Sequence, residues 1–196
     1  MKLSVLIPVW EQEELVKKAI ESIPRRDDIE IIAIDDGSTD NSFKSIQEYD
    51  YVRAYRNEKN IGAGLTRNKL IELATGEYII FLDSDDYFYP KLEEFMTYLD
   101  GTDMVFYGLI ENDGVTIMPT PDNIVCICGT VKAIRREFIG DCRFPDLNFA
   151  EDWHFNKALL DKNPTKKFTN MYLLHYNHPR EGSLFDLGTR KEKKWY

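Results

Sequence analysis

The sequence predicts an α/β fold in which a mainly parallel sheet is flanked by helices within a single domain. Short apolar, β-prone runs alternate with segments whose apolar residues recur at helical spacing. The joints between these segments are short, which favours right-handed crossovers between parallel strands. A length of 196 residues suits one domain that buries a full core.

The first half of the chain contains the regular strand–helix alternation. The apolar runs predict strands over residues 3–9, 29–34, 51–55 and 78–82. Helical spacing predicts helices over 13–23 and 63–74, which end at Pro24 and before Gly76. A short helix containing Phe43 and Ile46 follows Ser38 and Asp40, either of which can cap it.

The second half is less regular. We predict a helix that begins at Pro90, a strand over 103–110, a short helix over 131–138, a helix over 151–160 and a last strand over 168–176. Asn112-Asp113-Gly114 lies between two β-prone runs and indicates a hairpin.

Composition limits the classes of function. The formal charge of -9 argues against a broad nucleic-acid surface, so a phosphate-bearing ligand would need a metal ion or a few local cations. The three cysteines, Cys126, Cys128 and Cys142, are odd in number and lack zinc-site spacing, which favours a reduced, cytoplasmic protein. No run is long and apolar enough to span a membrane. The tail over 186–196 mixes cations and aromatic rings, which fits a frayed terminus or a weak contact with the inner face of an anionic membrane.

The acidic turn Asp83-Ser84-Asp85-Asp86 directly follows an apolar strand. Open α/β sheets bind ligands at the carboxyl ends of their strands, and paired carboxylates are hard oxygen ligands for Mg²⁺ or Mn²⁺. The turn therefore predicts a metal–diphosphate site, and the alternative is a solvated turn rich in aspartate.

Two other segments point to the same edge of the sheet. Asp35 and Asp36 follow the second predicted strand, where charge near a core is costly unless something binds it. The glycine-rich run over 60–68 lacks the Gly-Lys-Ser/Thr of a P-loop, but it leads into a helix whose Arg67 could reach a phosphate or a base carbonyl. A surface salt bridge is the alternative for Arg67.

A family resemblance rests on five motifs that occur in a set order. They are Ser4-Val5-Leu6-Ile7-Pro8-Val9-Trp10, Asp35-Asp36-Gly37-Ser38-Thr39-Asp40, Asn60-Ile61-Gly62 with Arg67-Asn68, Phe81-Leu82-Asp83-Ser84-Asp85-Asp86, and Glu151-Asp152. This series resembles family 2 glycosyltransferases with the GT-A fold, and the likeness runs from residue 3 to about residue 185. Two further segments also resemble capsule and cell-wall members, namely Arg143-Phe144-Pro145 and Tyr176-Asn177-His178-Pro179-Arg180-Glu181-Gly182-Ser183.

The resemblance implies a role for each matching position of the donor site. Pro8 and Val9 would line the base pocket, Asp36 would accept a hydrogen bond from uracil, and Arg67 would contact the base or diphosphate. Glu13 and Ser84 belong to the same nucleotide-sugar site, Asp83 would face the ribose, and Asp85 would bind Mn²⁺ or Mg²⁺. The family usually has Tyr-Asn where this chain has Trp10-Glu11.

The resemblance also implies how the reaction would proceed. The second acid of the Glu-Asp pair, Asp152, would act as general base on an acceptor hydroxyl, and direct displacement would invert the anomeric centre. A plain alternative is that both acids complement the dipole of the following helix. His178 would supply a third metal ligand or a phosphate contact, or be an ordinary loop histidine. Arg180 and Ser183 would close on the diphosphate.

The function implied is an inverting, metal-dependent transfer of a hexosyl or N-acetylhexosaminyl group from a UDP-sugar to a glycan or other hydroxyl acceptor. In that scheme residues 1–100 are the nucleotide-binding half of the domain and residues 101–185 the acceptor-side half. The alternatives are an inactive nucleotide-sugar-binding module and a nucleotidyltransferase, although the latter would need a basic loop where Glu11, Glu13 and Glu14 stand. The sequence leaves self-association into a homo-oligomer open.

Overall fold

The computed structural model describes residues 2–124, 131–147 and 149–178. Its strands are β1 (Leu3–Val9), β2 (Ile29–Asp35), β3 (Val52–Arg56), β4 (Tyr78–Phe81), β5 (Tyr87–Phe88), β6 (Met104–Glu111), β7 (Thr116–Ile117), β8 (Lys132–Arg135) and β9 (Lys166–Tyr176). Its helices are α1 (Leu15–Glu21), α2 (Ser42–Gln47), α3 (Ala63–Leu73), α4 (Leu92–Met96), α5 (Arg136–Ile139) and α6 (Glu151–Asp161).

The described strands form one mixed sheet in the order β3-β2-β1-β4-β8-β6-β9-β5, with β7 paired to β6 as a hairpin. The four strands from β3 to β4 run parallel to their neighbours. Strand β8 lies antiparallel to both β4 and β6, whereas β6 and β9 are parallel. The run of four consecutive parallel strands is therefore built by the first half of the chain.

Alternate residues of β1 face two separate cores, because successive side chains of a strand point to opposite faces of the sheet. Val5 and Ile7 pack in a core with residues of α1 and α4, such as Val16 and Phe95. Leu6 packs in the other core, which includes residues of α3 and α6. Both faces of the parallel strands are thus covered, which explains their nearly continuous apolar sequences.

Most predicted elements agree with the structure to within a few residues, but residues 131–138 do not form the predicted short helix. Lys132–Arg135 is instead strand β8, and only Arg136–Ile139 is helical. The pairing partners on both sides, β4 and β6, account for the difference, since they supply backbone hydrogen bonds that a local pattern cannot reveal. The two-residue strand β5 was not predicted either.

The hairpin predicted at residues 112–114 joins β6 to β7, with Gly114 at a φ of 85°. This positive φ is one that glycine adopts without strain. Within the described ranges, none of the helices is long and apolar enough to cross a membrane.

The register of the parallel strands brings the predicted acids to one edge. Val9 lies opposite Asp35, and the backbone N–H of Asp36 donates to the carbonyl oxygen of Val9 at 2.7 Å. On the other side of β1, Leu6 lies opposite Phe81, two residues before Asp83. The carboxyl ends of β1, β2 and β4 therefore meet.

Candidate active site

The turn after β4 holds its four polar residues in different environments. The N–H of Asp86 donates to the carbonyl of Asp83 at 3.0 Å, which closes the turn. Ser84 and Asp86 are buried, whereas Asp83 and Asp85 are partly exposed. The side chain of Asp86 accepts a hydrogen bond from the N–H of Asn177 at 2.8 Å. Asp86 therefore anchors the end of β9 to the turn, and Asp83 and Asp85 keep part of their surface exposed.

Arg67 links the two ends of the site. Its guanidinium donates to Asp83 Oδ1 at 2.8 Å and to Glu151 Oε1 at 3.0 Å, and it lies over the ring of Phe144. Only 8% of Arg67 is exposed. Burial alone would lower its pKa, but the charges of Asp83 and Glu151, with Asp152 further away, raise it above the ordinary value. The predicted ligand-binding arginine is thus held between two acids.

The helix that carries the proposed base begins abruptly. Ala150 adopts a left-handed conformation with a φ of 61°, and α6 starts at the next residue, Glu151. Asp152 is partly exposed, and its Oδ1 accepts a hydrogen bond from the N–H of Trp153 at 2.7 Å. A Cβ atom at Gly64 would lie 3.0 Å from Cγ of Glu151, so the glycine allows α3 and α6 to approach closely.

The loop before α6 is fixed by Asn68, which follows Arg67 on α3. The Asn68 amide donates to the carbonyl of Phe144 at 2.9 Å and accepts from its N–H at 2.8 Å. The ring of Phe144 stacks on that of Phe155 with centroids 4.0 Å apart. These contacts explain why Arg67 and Asn68 occur as a pair, because one binds the acids and the other positions the loop.

Asp36 sits at the predicted base pocket, but its carboxylate already accepts three hydrogen bonds. The donors are the Asn57 amide at 2.8 Å, the N–H of Ile61 at 3.0 Å and the N–H of Gly62 at 2.9 Å. Asp36 is 3% exposed. It therefore organises the glycine-rich loop, whatever further contact it makes with a base. Pro8 is partly exposed beside it, whereas Val9 is buried.

Glu13 lies at the same edge and contacts the neighbouring loop. Its carboxylate accepts a hydrogen bond from the Asn41 amide at 3.0 Å, and its N–H donates to Asp40 Oδ2 at 3.2 Å. Glu11 is bound similarly, since its Oε1 accepts from the N–H of Thr39 at 2.7 Å. The loops after β1 and β2 are thereby joined, and the exposed Trp10 stands at their rim.

His178 lies at the end of the described chain, beside the acidic turn. Its Nδ1 is 3.3 Å from Glu111 Oε2, and its ring stacks on that of Tyr176. In the part of the chain that the structure describes, no group of three or more His, Cys, Asp or Glu side chains is arranged to hold a metal ion. Arg180 and Ser183 lie outside the described residues, so their predicted contacts stay predictions.

A narrow cleft lies beside Arg67. Its polar lining consists of Arg67, Lys132, Asp152 and Asn156, and aromatic rings such as those of Phe144 and Phe155 form its apolar walls. The cleft places Arg67, which binds Asp83, near the predicted base Asp152.

Sequence reasoning missed the roles of Asn68, Asp86 and Tyr176. The Tyr176 phenol is largely buried, and this burial together with the charges of Asp83, Asp86, Asp85 and Glu111 raises its pKa above the usual value. The sequence signals for Tyr176 were its place at the end of a predicted strand and at the start of the late motif over residues 176–183. The hydrogen bond from the N–H of Asn177 to Asp86 brings the turn close to the end of β9.

Comparisons with known proteins place this geometry in a family. Residues 4–117 match the model described as Glycosyl transferase family 2. The poly(ribitol-phosphate) beta-glucosyltransferase of Bacillus spizizenii is 40% identical over 96 residues, which are 44% of this chain and 15% of that protein. The putative teichuronic acid biosynthesis glycosyltransferase TuaG of Bacillus subtilis is 27% identical over 99% of this chain and 86% of its own length.

Solved structures agree on the fold. TarS 1-349 of S. aureus in complex with UDP-GlcNAc superposes with a TM-score of 0.83 and 25% identity, covering 95% of this chain and 61% of that one. The predicted GT-A fold is thereby confirmed. This chain spans only part of the length of several of these relatives. The family match covers more than half of the residues, and the chain belongs to glycosyl transferase family 2.

Proposed function

We propose that the protein transfers a sugar from a UDP-sugar to a hydroxyl group of a glycan acceptor, with a divalent ion and with inversion at the anomeric carbon. The observation that carries the proposal is the two-armed contact of Arg67, which joins Asp83 of the donor-side turn to Glu151, the neighbour of Asp152. UDP-GlcNAc is bound in the similar TarS structure, which supports a UDP-sugar as the donor.

The donor side is suited to a divalent cation by its charge. Asp83 and Asp85 are partly exposed. Burial, together with the charges of the turn's carboxylates and Glu111, raises the pKa of the Tyr176 phenol. Excess negative charge of this kind favours Mn²⁺ or Mg²⁺, and Asp85, with His178 as a second donor, would hold the ion. When bound, the ion would neutralise charge on the leaving diphosphate. Diphosphate oxygens would complete the coordination, since the described protein groups alone do not form a cluster of three.

On the acceptor side, Asp152 is the group that takes the proton. Its Oδ1 is engaged by the N–H of Trp153, which orients the carboxylate. The acceptor oxygen forms a bond to the anomeric carbon while the bond from that carbon to the diphosphate oxygen breaks. The hydroxyl proton passes to Asp152, and the electron pair of the broken bond leaves with UDP. Attack opposite the leaving group gives inversion.

The two alternatives fit the site less well. A nucleotidyltransferase needs basic groups in the loop after β1, but Glu11 and Glu13 of this loop instead bind Thr39 and Asn41. An inactive binding module would have no need for an oriented carboxylate at Asp152 beside the cleft. We also place the reaction in the cytoplasm, in keeping with the free thiol of Cys142.

The test of the proposed function is the substitution Asp152→Asn, which keeps the shape of the side chain but cannot accept the proton. Sugar transfer should fall by roughly 10²-fold or more, whereas UDP affinity should stay within about twofold, since the base contacts only the acceptor. Transfer is measured as UDP release with Mn²⁺ from a panel of UDP-sugars, and UDP affinity by calorimetry.

Asp161→Asn is the matched control, because Asp161 lies on the same helix in an exposed ion pair with Lys157. This control should transfer sugar at the wild-type rate. Near wild-type transfer by Asp152→Asn would assign the base elsewhere, with Glu151 the next candidate. A loss of UDP binding would instead assign Asp152 to the donor site.

A further inference from the structure

The amide of Asn156 is an unusual group within α6. Asn156 is 3% exposed, between the buried Phe155 and Leu159. Its Oδ1 has no hydrogen-bond partner among the residues that the structure describes. More than nine-tenths of buried polar groups are hydrogen-bonded, and leaving one unpaired costs about 1–3 kcal/mol. An apolar side chain of the same shape would avoid that cost.

The position of Asn156 indicates what its oxygen could bind. Asn156 follows Asp152 by four residues, which places both side chains on one face of the helix. The two residues line the same cleft, together with Arg67. Arg67 in turn contacts Asp83, so Asn156 shares its cleft with the proposed base and with the arginine that binds the acidic turn.

The sugar of the donor must lie between those two groups. Its anomeric carbon has to be near the diphosphate bound by the turn and also in line with the hydroxyl that Asp152 deprotonates. A few polar groups among aromatic walls are typical of a site that fixes the orientation of a small ligand. The unpaired Oδ1 of Asn156 can accept a hydrogen bond, and a hydroxyl of a sugar bound in this position would be the donor.

We propose that Asn156 is a sugar-binding residue, whose Oδ1 accepts a hydrogen bond from a hydroxyl of the transferred sugar. This inference rests on the proposed function and adds to it a residue that recognises the donor sugar. Oδ1 is sealed from solvent in the sugar-free protein. Binding therefore includes a side-chain shift at the cleft, a change that is common when ligands bind.

The experiment compares affinities for UDP, UDP-glucose and UDP-N-acetylglucosamine by calorimetry. Asn156→Leu keeps the branching of the side chain and removes the acceptor, and Asn156→Ala is a second variant that removes it with less bulk. Loss of one hydrogen bond should raise the ratio of the UDP-sugar Kd to the UDP Kd by about threefold to tenfold. Affinity for UDP itself should not change. The control is Ala158→Leu, which introduces the same side chain on the exposed face of α6.

Deoxy analogues of the better-bound sugar identify the hydroxyl. The wild type should lose affinity for one analogue, and Asn156→Leu should bind that analogue and the parent equally. An unchanged ratio in both Asn156 variants would overturn the inference and assign the oxygen to an ordered water molecule or to packing alone. If the wild type binds neither UDP nor a UDP-sugar, the proposed function fails first, and the inference fails with it.

Discussion

Neighbouring aspartates of the turn after β4 have different surroundings at the scale of single residues. Asp86 is 1% exposed and accepts a hydrogen bond from the N–H of Asn177. Asp85, like Asp83, is partly exposed. We therefore expect Asp86 to contribute to stability and Asp85 to ligand binding.

Substitution of these two residues should separate the effects. Asp85→Asn should reduce the Mn²⁺-dependent part of UDP affinity at least tenfold, about 1.4 kcal/mol, because a neutral amide is a weaker metal ligand than a carboxylate. Thermal stability should hardly change. Asp86→Ala should lower the melting temperature, since it leaves the N–H of Asn177 without its acceptor, at about 1–3 kcal/mol.

Calorimetry of UDP binding with Mn²⁺ and with EDTA checks the metal role, and a thermal melt of each variant checks stability. Equal UDP affinity of the wild type under the two conditions would exclude a metal at Asp85. A melting temperature for Asp86→Ala equal to that of the wild type would show that its contact with Asn177 is unimportant.

The positions of site residues could be predicted from the sequence where they depend on local position along the chain. Contacts between residues far apart in the sequence could not be predicted. Asp36, Asp83 and Asp85 follow strands, so their meeting at one edge follows from parallel pairing. The contact between Arg67 and Glu151 joins residues 84 positions apart, and no local pattern encodes it. The hydrogen bond from the Asn41 amide to the Glu13 carboxylate also cannot be read from a local pattern.

At the scale of elements, the start of α6 determines where the proposed base lies. Ala150 precedes the helix in a left-handed conformation that costs a non-glycine residue about 1–2 kcal/mol. The turn directs the chain from the loop held by Asn68 into the helix that carries Asp152. Strain at such a point is tolerated because the surrounding contacts impose it.

The substitution Ala150→Gly should therefore stabilise the protein. Relief of the steric cost exceeds the extra unfolded-state entropy of glycine, so the free energy of unfolding should rise by about 0.5 kcal/mol. Urea unfolding measures it. Asn163→Gly is the control, because Asn163 has a φ of 54° but asparagine tolerates this conformation and should gain less. A fall in stability for Ala150→Gly would mean that the turn is unstrained.

The long, periodic elements were predicted and the short, pairing-dependent ones were not. Strand β1 agrees with its prediction at both ends, since its seven residues form a nearly continuous apolar run. Strand β5 has two residues and exists only because Tyr87 and Phe88 pair with β9. The local sequence of β8 is compatible with a helix, but pairing with β4 and β6 makes it a strand.

At the scale of the whole molecule, Glu30 ties four segments together at the end of the sheet where β1 begins. Its carboxylate accepts hydrogen bonds from Ser4, from Thr75 and Gly76, and from Arg53. Burial would raise the pKa of Glu30, but these donors outweigh it and lower the pKa below its ordinary value of 4.5.

The pH dependence of stability follows from that direction. Because the folded protein binds the Glu30 proton less readily than the unfolded chain, this stabilisation is present above pH 4.5 and is lost as the pH falls through the lower, folded-state pKa. Glu30→Gln should lower the free energy of unfolding by about 2 kcal/mol near pH 7, and should lose less stability on acidification than the wild type does.

Urea unfolding at about pH 7 and about pH 3.5 tests this expectation. The exposed Glu58→Gln should behave like the wild type at both values. Parallel pH curves for wild type and Glu30→Gln would show that acid sensitivity comes from other groups.

The contact of Arg67 with both Asp83 and Glu151 has a consequence for the order of events in catalysis. One guanidinium balances an acid on each side, so a ligand that changed the pairing of Asp83 would also change the pairing of Glu151, the neighbour of the proposed base. With the proposed donor and acceptor on the two sides of Arg67, occupancy of their sites would be thermodynamically coupled, and the coupling would be reciprocal. A donor that favours acceptor binding must itself be bound more tightly once the acceptor has arrived.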